Sequence, residues 1–285
     1  MRYEFINAKK TEHSITLMCK AFNVSQSGFH AWQSRSMSLR QREDMILLAY
    51  IRSIHQENYQ SYGRERMTEE LRDLGFSVSQ RRVARLMKDN NIHIKRTHKF
   101  KRTTDSNHTH NIAPNLLEGD FATTGPNQRW AGDITYIPTQ EGWMYLAVII
   151  DLYSRRVIGW AVSNRLKRDL VIQALQRAIA LRNPPKGVIH HTDRGSQYCS
   201  KDYQRLLKKH GFEASMSGKG NCYDNAAVET FFKSLKAELV WRTTFETRDQ
   251  AGKALFNYIN KFYNPKRRHS YLGNISPMKF EMKAA

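Results

Sequence analysis

From residue 14 to residue 96 apolar and basic residues alternate at helical spacing, with few β-branched runs. Within that stretch a short pattern occurs twice. Phe22-Asn23-Val24-Ser25-Gln26 follows one helical segment and opens another that ends near Trp32. Phe76-Ser77-Val78-Ser79-Gln80 follows a helix predicted over Arg64–Leu74, with Gly75 after it, and opens a helix predicted over Ser79–Asn90. In both, a Ser stands at the N-cap position after a tight turn that buries a Val. Helix, short turn and second helix is the layout of a helix-turn-helix, whose second helix enters the major groove of DNA. In the later copy Val83, Leu86 and Met87 form the buried stripe, while Arg81, Arg82, Arg85 and Lys88 load the outer face. The plainer alternative is a helical bundle with solvated arginines, and it weighs more for the shorter, less basic copy at 14–34.

Residues 97–128 are polar, broken by Pro114 and Pro126, and read as a linker. Beyond them the period changes. Arg129–Pro138, Trp143–Asp151 and Arg155–Val162 read as three strands with tight turns between. Lys167–Leu181 has helical periodicity and stops before Asn183-Pro184-Pro185. Gly187–His191 reads as a short buried strand, Lys201–His210 as a helix and Phe212–Met216 as a strand, followed by helices over Cys222–Trp241 and Arg248–Phe262. By analogy, that order is the order of the ribonuclease-H-like fold. The expected division is a short helical segment at 1–40 carrying the lesser helix-turn-helix copy, a helix-turn-helix DNA-binding domain at 41–96, a basic and polar linker at 97–128, and an α/β ribonuclease-H-like catalytic core with a helical tail at 129–285.

Charge sharpens this picture. The 285 residues carry 46 Lys plus Arg against 26 Asp plus Glu, a formal charge of +20. The basic excess is nine over residues 1–110, six over 111–220 and five over 221–285, so it belongs to the whole chain and not to a tail. A polyanion crossing every part of the molecule is the simplest partner for such a surface. Lys95, Arg96, Lys99, Lys101 and Arg102 extend the basic track into the linker and suit sequence-neutral phosphate contacts. No apolar run approaches the roughly 18 residues of a membrane span. The amino-terminal stretch lacks a signal-peptide layout, and Cys19, Cys199 and Cys222 form no CxxC pair. The expectation is a soluble cytoplasmic protein without membrane contact.

Three carboxylates stand out. Asp133 sits inside a hydrophobic strand, where an acid is costly unless paired or bound to a metal. Asp193 follows the strand Gly187–His191, at the kind of strand end where sites of open α/β sheets collect. Glu229 lies on the helix Cys222–Trp241, beside the apolar stripe Val228, Phe232, Leu235 and Leu239 and on a polar stripe with Asn225, Lys233 and Lys236. Alone, each reads as an edge-strand Asp, a turn Asp or a solvated Glu. Together, Asp133 and Asp193 are separated by 59 residues and Asp193 and Glu229 by 35. With the flanking words Trp130-Ala131-Gly132-Asp133-Ile134-Thr135-Tyr136-Ile137, His191-Thr192-Asp193-Arg194-Gly195-Ser196-Gln197-Tyr198 and Asn225-Ala226-Ala227-Val228-Glu229-Thr230-Phe231-Phe232, the chain resembles the DDE transposase and retroviral integrase superfamily. The wording is closest to OrfB-type transposases of the insertion-sequence-three family. The tail Tyr263-Asn264-Pro265-Lys266-Arg267-Arg268-His269, with Ser276-Pro277 after it, resembles that family too, and the likeness runs from about residue 41 to the end.

The resemblance implies cleavage of DNA at element ends by water, followed by attack of the freed 3′-hydroxyl on a second phosphodiester. Such chemistry rests on positioning and charge neutralisation. Carboxylate oxygens suit Mg²⁺, with Mn²⁺ able to take its place, and two ions fit an in-line displacement. The expectation is that Asp133 bridges both ions, Asp193 completes one site and Glu229 the other. Lys233 and Lys236 would grip phosphates of the end being cut, with Lys266, Arg267 and Arg268 of the tail as further DNA contacts. The zinc-binding amino-terminal domain of retroviral integrases is missing from the motif set, so no zinc is expected. The implied partners are double-stranded DNA (element ends and target), at least a second copy of the chain, and an upstream-frame helix-turn-helix and zipper protein to which relatives are often fused. His190 and His191 read as packed more readily than catalytic, His108 and His110 as solvated, and Gly218, Gly220 and Asn221 as a loop that orders on DNA or a plain turn. Two other functions stay open: a non-catalytic DNA-binding repressor, and a nuclease or resolvase that cuts but never joins.

Overall fold

The computed structural model describes residues 1–95, 113–117, 122–218 and 226–284. The chain forms two compact units, Met1–Arg52 and Ser53–Ala285, and the division falls inside one long helix, α4 (Leu39–Glu57). The expected breaks lay at 40/41 and in the 97–128 linker.

The first unit contains α1 (Arg2–Lys9), α2 (Ile15–Ala21) and α3 (Gln26–Ser34), closed over Ile6, Met18, Cys19 and Phe29. The turn between α2 and α3 passes through Asn23 in the left-handed region, and Ser25 caps α3 by accepting a hydrogen bond from the Gly28 N–H at 3.0 Å. The later copy repeats this construction. Helix α5 (Arg64–Asp73) ends at Leu74, Gly75 takes a φ of +91°, and Ser79 caps α6 (Gln80–Asp89) through the Arg82 N–H. In both copies two helices flank a turn where the Phe-x-Val-Ser-Gln repeat predicts it.

The second unit is built on a five-stranded sheet in the order β3-β2-β1-β4-β5. The strands are β1 (Arg129–Thr139), β2 (Gly142–Asp151), β3 (Val157–Ser163), β4 (Ile189–Thr192) and β5 (Glu213–Met216). Those from β1 to β3 form an antiparallel meander, while β4 and β5 run parallel to β1. Between them lie α7 (Arg168–Arg182) and α8 (Lys201–Lys209), and after them α9 (Ala226–Glu238), α10 (Arg248–Phe256) and α11 (Pro277–Ala284). Alternation along the strands divides the core into two layers. Ala131, Ile137, Val148 and Ile150 pack with Val228, Phe231, Phe232 and Leu235 of α9. Trp130, Ala147, Ile149 and Ile158 pack with Leu170, Ala174 and Ala178 of α7 and with Tyr203 and Leu207 of α8. Helix α7 lies so close to β3 that a Cβ at Gly159 would stand 2.3 Å from the Ala174 carbonyl oxygen, so only glycine fits there. This is the mixed α/β core of the ribonuclease-H-like class, preceded by a helical region.

The helix-turn-helix of α5 and α6 belongs to the same unit as the sheet. Arg268 of the tail is the main tie: its guanidinium donates to Glu70 and Asp73 of α5, each at 2.6 Å, and its backbone N–H donates to the Tyr62 hydroxyl. Arg242 reaches the carbonyl oxygens of Tyr59 and Lys95. Among the described residues no helix is long and apolar enough to cross a membrane.

Candidate active site

Strand register brings the first two carboxylates together. Gly132 of β1 and Thr192 of β4 are parallel partners, so the next residue on each strand is an aspartate, Asp133 and Asp193. Strand β4 ends there, and among the described residues no strand lies beside that edge of β1 from Asp133 onward. One oxygen of each carboxylate is fixed by the backbone: Ile134 N–H donates to Asp133 Oδ1 at 2.7 Å, and Gly195 N–H donates to Asp193 Oδ1 at 2.9 Å. The third acid comes from the first turn of α9, which is seated on β1 and β2 by Val228, Phe231, Phe232 and Leu235. Asp133 feels both neighbours. Burial pushes its carboxyl well above the usual carboxylate range, the charge of Asp193 and then that of Glu229 push it further, and the Ile134 N–H and the Lys236 ammonium oppose them. Among the described residues, no three His, Cys, Asp or Glu side chains stand close enough to enclose one ion.

The stripe Glu229, Lys233 and Lys236 is divided by the structure. Lys233 is exposed and pairs with Glu229 at 3.7 Å. Lys236 is turned inward, with its Nζ 4.8 Å from the centre of the Tyr136 ring. Burial lowers its affinity for the proton, while Tyr136 and Asp133 raise it. The two lysines therefore do not present one common solvent face. The described helix runs from Ala226 to Glu238 and passes into a 3₁₀ turn at Val240–Arg242, so its end falls before the expected Trp241.

The tail corrects one expectation. Lys266 is exposed, but Arg267 and Arg268 are buried and engaged. Arg267 holds Glu238 of α9 through Nε at 2.9 Å and Nη2 at 2.7 Å, and its side chain is 7% exposed. Arg268 holds Glu70 and Asp73 and is 5% exposed. Neither guanidinium has a free fork for a phosphate, so both are withdrawn as DNA contacts. Glu238 was missed by the sequence reading, although Phe231, Leu235 and Glu238 lie at i, i+4 and i+7 and so put an acid on the buried stripe. Tyr258 completes its shell by donating its hydroxyl proton at 2.7 Å.

On α6, Arg81, Arg85 and Lys88 are exposed along one face, Arg82 is half-buried, and Arg85 makes a 3.6 Å ion pair with Asp89. Lys95 is exposed, while Arg96, Lys99, Lys101 and Arg102 lie outside the described residues, as do His108, His110, Gly220, Asn221, Cys222 and Asn225. His190 and His191 are packed. His190 Nε2 meets the Tyr203 hydroxyl at 2.6 Å, and His191 sits between the Ser215 and Ser217 hydroxyls. Burial first, and then the neighbouring His191, lower the His190 pKa to about 3, so it stays neutral near neutral pH.

Two family models described as integrase core domain match residues 123–222 and 229–284, and one described as HTH-like domain matches residues 41–100. Among solved structures the chain is similar to the HTLV-2 integrase catalytic core domain in complex with magnesium, at 19% identity, covering 56% of this chain and 99% of that one with a TM-score of 0.44. An insertion element IS600 31 kDa protein of Shigella sonnei is 45% identical over 93% of this chain and 98% of its own. The transposase InsF for insertion sequence IS3A of Escherichia coli strain K12 is 46% identical over 99% of both chains. With likeness of that degree from end to end, over an integrase core and a helix-turn-helix, the chain belongs to the family of IS3 transposases.

Proposed function

We propose that the chain binds the ends of its element and catalyses divalent-metal-dependent DNA cleavage and strand transfer, with Asp133, Asp193 and Glu229 as the acids of the site. The observation that carries this reading is the convergence of β1, the end of β4 and the first turn of α9, which puts Asp133 in the field of both other carboxylates. A half-buried carboxylate in the field of two others is disfavoured as the anion unless a cation offsets it, and the hard oxygen donors of the three suit Mg²⁺. Asp133, Asp193 and Glu229 would hold the metal between them, Asp133 as the acid in the field of both others. When bound, such ions supply charge neutralisation and activation of the attacking oxygen.

The bonds exchanged are simple. Water oxygen attacks phosphorus at the element end and the bond to the 3′-oxygen breaks, leaving a 3′-hydroxyl once a proton is taken up. That hydroxyl then attacks a target phosphodiester and displaces its 3′-oxygen in turn. The part of the chain is to hold Asp133 and Asp193 by backbone N–H groups, keep α9 seated, and bring the duplex in through the exposed Arg81, Arg85 and Lys88 of α6. Double-stranded DNA is the partner, and cutting two ends calls for at least two copies of the chain.

Incubating the protein with duplexes of its own element end and Mg²⁺ tests this. Nicked and joined products are expected from the parent and neither from Asp133→Asn. Nicks that are never joined would turn the reading into a nuclease, and an Asp133→Asn protein that still cuts would remove the acids from the chemistry.

A further inference from the structure

The distal end of the β1–β2 hairpin carries an aromatic face that nothing in the proposed chemistry uses. Tyr136 pairs with Tyr145 and Pro138 with Trp143 across the antiparallel ladder, so all four side chains stand on one face of the sheet. Nearer the strand centre that face is covered by α7 and α8, through Ala147 and Ile149. Here it is not: Tyr136 is 38% exposed and Trp143 52% exposed, their rings meeting edge to face at 5.1 Å. The hairpin end is also braced. Arg248 donates from its guanidinium to the carbonyl oxygens of Trp143 and Glu141 and from its backbone N–H to the Glu141 carboxylate. Two exposed rings on a stiff support form a surface that loses little freedom on binding a flat partner.

Its surroundings select the partner. Tyr136 lies three residues beyond Asp133 and so on the other face of β1, but β4 ends beside Asp133, and Lys236 of α9 links the two: its ammonium sits over the Tyr136 ring within the field of Asp133. Rings beside a cation, next to a site for phosphodiester chemistry on a strongly basic chain, are the components of a single-strand stacking site: bases lie on the rings and the cation meets the backbone. We infer that Trp143 stacks an unpaired base of the DNA strand being cut, with Tyr136 supporting it edge to face and Lys236 against the base's phosphate. This rests on the carboxylate reading above, and it gives Tyr136, Trp143 and Lys236 a positioning role: an unstacked base bends the strand out of the duplex and carries its scissile phosphate toward Asp133.

The test uses the full chain in two measurements. In the first, without metal, affinity is compared for two duplexes of the element end, one fully paired and one with unpaired bases beside the cut. Trp143→Ala is expected to lose roughly 5- to 150-fold on the unpaired end, the range for removing one base–aromatic stack, Tyr136→Ala a smaller part of that, and both much less on the paired end. Trp143→Phe, which keeps a ring, is expected to restore most of the preference. In the second, with Mg²⁺, the same Ala variants are expected to cut a pre-unpaired end faster than a paired one, since unpairing is then supplied in advance. A Trp143→Ala protein with parental affinity for both ends overturns the stacking site. A parent that binds but never cuts overturns the carboxylate reading instead, and the metal-free comparison still decides the rings.

Discussion

Asp133 is held by two opposed demands. Its carboxyl is half-buried beside Asp193 and Glu229, so its folded-state pKa is raised above the unfolded value of about 3.9. The folded chain then binds more protons than the unfolded one between those two values, and stability falls as pH rises through that window. Removing the charge relieves this. Asp133→Asn is expected to unfold at a higher temperature than the parent in the presence of a chelator at neutral pH, with the gap closing toward pH 4, while losing all cutting. Thermal scans at several pH values check it, and an Asn variant less stable than the parent would mean that the three acids do not strain the fold. Glu229 is more exposed and stands beside Lys233, so Glu229→Gln is expected to leave folding and metal-free DNA affinity close to parental and still abolish nicking. The candidate acids were legible because three separated words of sequence agree in spacing. The companions of Asp133 were not: Lys236 shares a helix face with Lys233 in the sequence, yet it is drawn inward by Tyr136, whose strand only tertiary packing brings near.

Helix α9 links the acids to the tail. Its outer side carries Glu229, and its buried side ends in Glu238, which receives hydrogen bonds from Nε and Nη2 of Arg267 and from the Tyr258 hydroxyl. A buried ion pair adds little by itself, but removing one partner leaves an uncompensated charge and costs about 3–5 kcal/mol. Arg267→Met is therefore expected to lower stability by that amount and to lower cutting with it, because α9 is no longer fixed from behind. Adding Glu238→Gln, which removes the stranded charge and keeps an acceptor for Tyr258, is expected to recover more than half of the loss in chemical denaturation. A double variant as weak as the single would show that the pair is not the brace. The strands and helices around this site follow the hydrophobic periods to within a few residues at their ends, and two of the departures have a known cause. Strand β3 begins at Val157, not Arg155, because Arg155 takes a positive φ in the turn that Asp151 closes. The last long helix changes to π-helical winding at Asn257–Tyr263, which an apolar spacing near 3.6 cannot distinguish from continued α-helix.

The charge of +20 was readable from composition, but which cations remain available to DNA was not. Arg268 is paired with Glu70 and Asp73, nearly 200 positions earlier in the chain, and Arg267 with Glu238, and no local pattern announces such partners. By contrast, Arg81, Arg85 and Lys88 stand exposed on a helix whose opposite side, Val83, Leu86 and Met87, is buried. The two groups should separate in a salt series. Each phosphate neutralised contributes about −0.9 to the slope of log affinity against log salt concentration. Replacing Arg81, Arg85 and Lys88 together by Ala is expected to flatten that slope by up to about 2.7 and to lower preference for the element end over unrelated duplex. Replacing Arg268 by Met, in protein whose circular dichroism remains native, is expected to lower the unfolding midpoint and leave the slope as it was, because that guanidinium ties α5 to the tail and meets no phosphate. Binding isotherms from about 50 to 200 mM salt resolve the difference, since a molecule making six to ten contacts loses roughly 10³–10⁵ in affinity over that range. Equal flattening by both sets would put Arg268 back among the DNA contacts, and a slope unmoved by the α6 triple would mean that the duplex enters by another face.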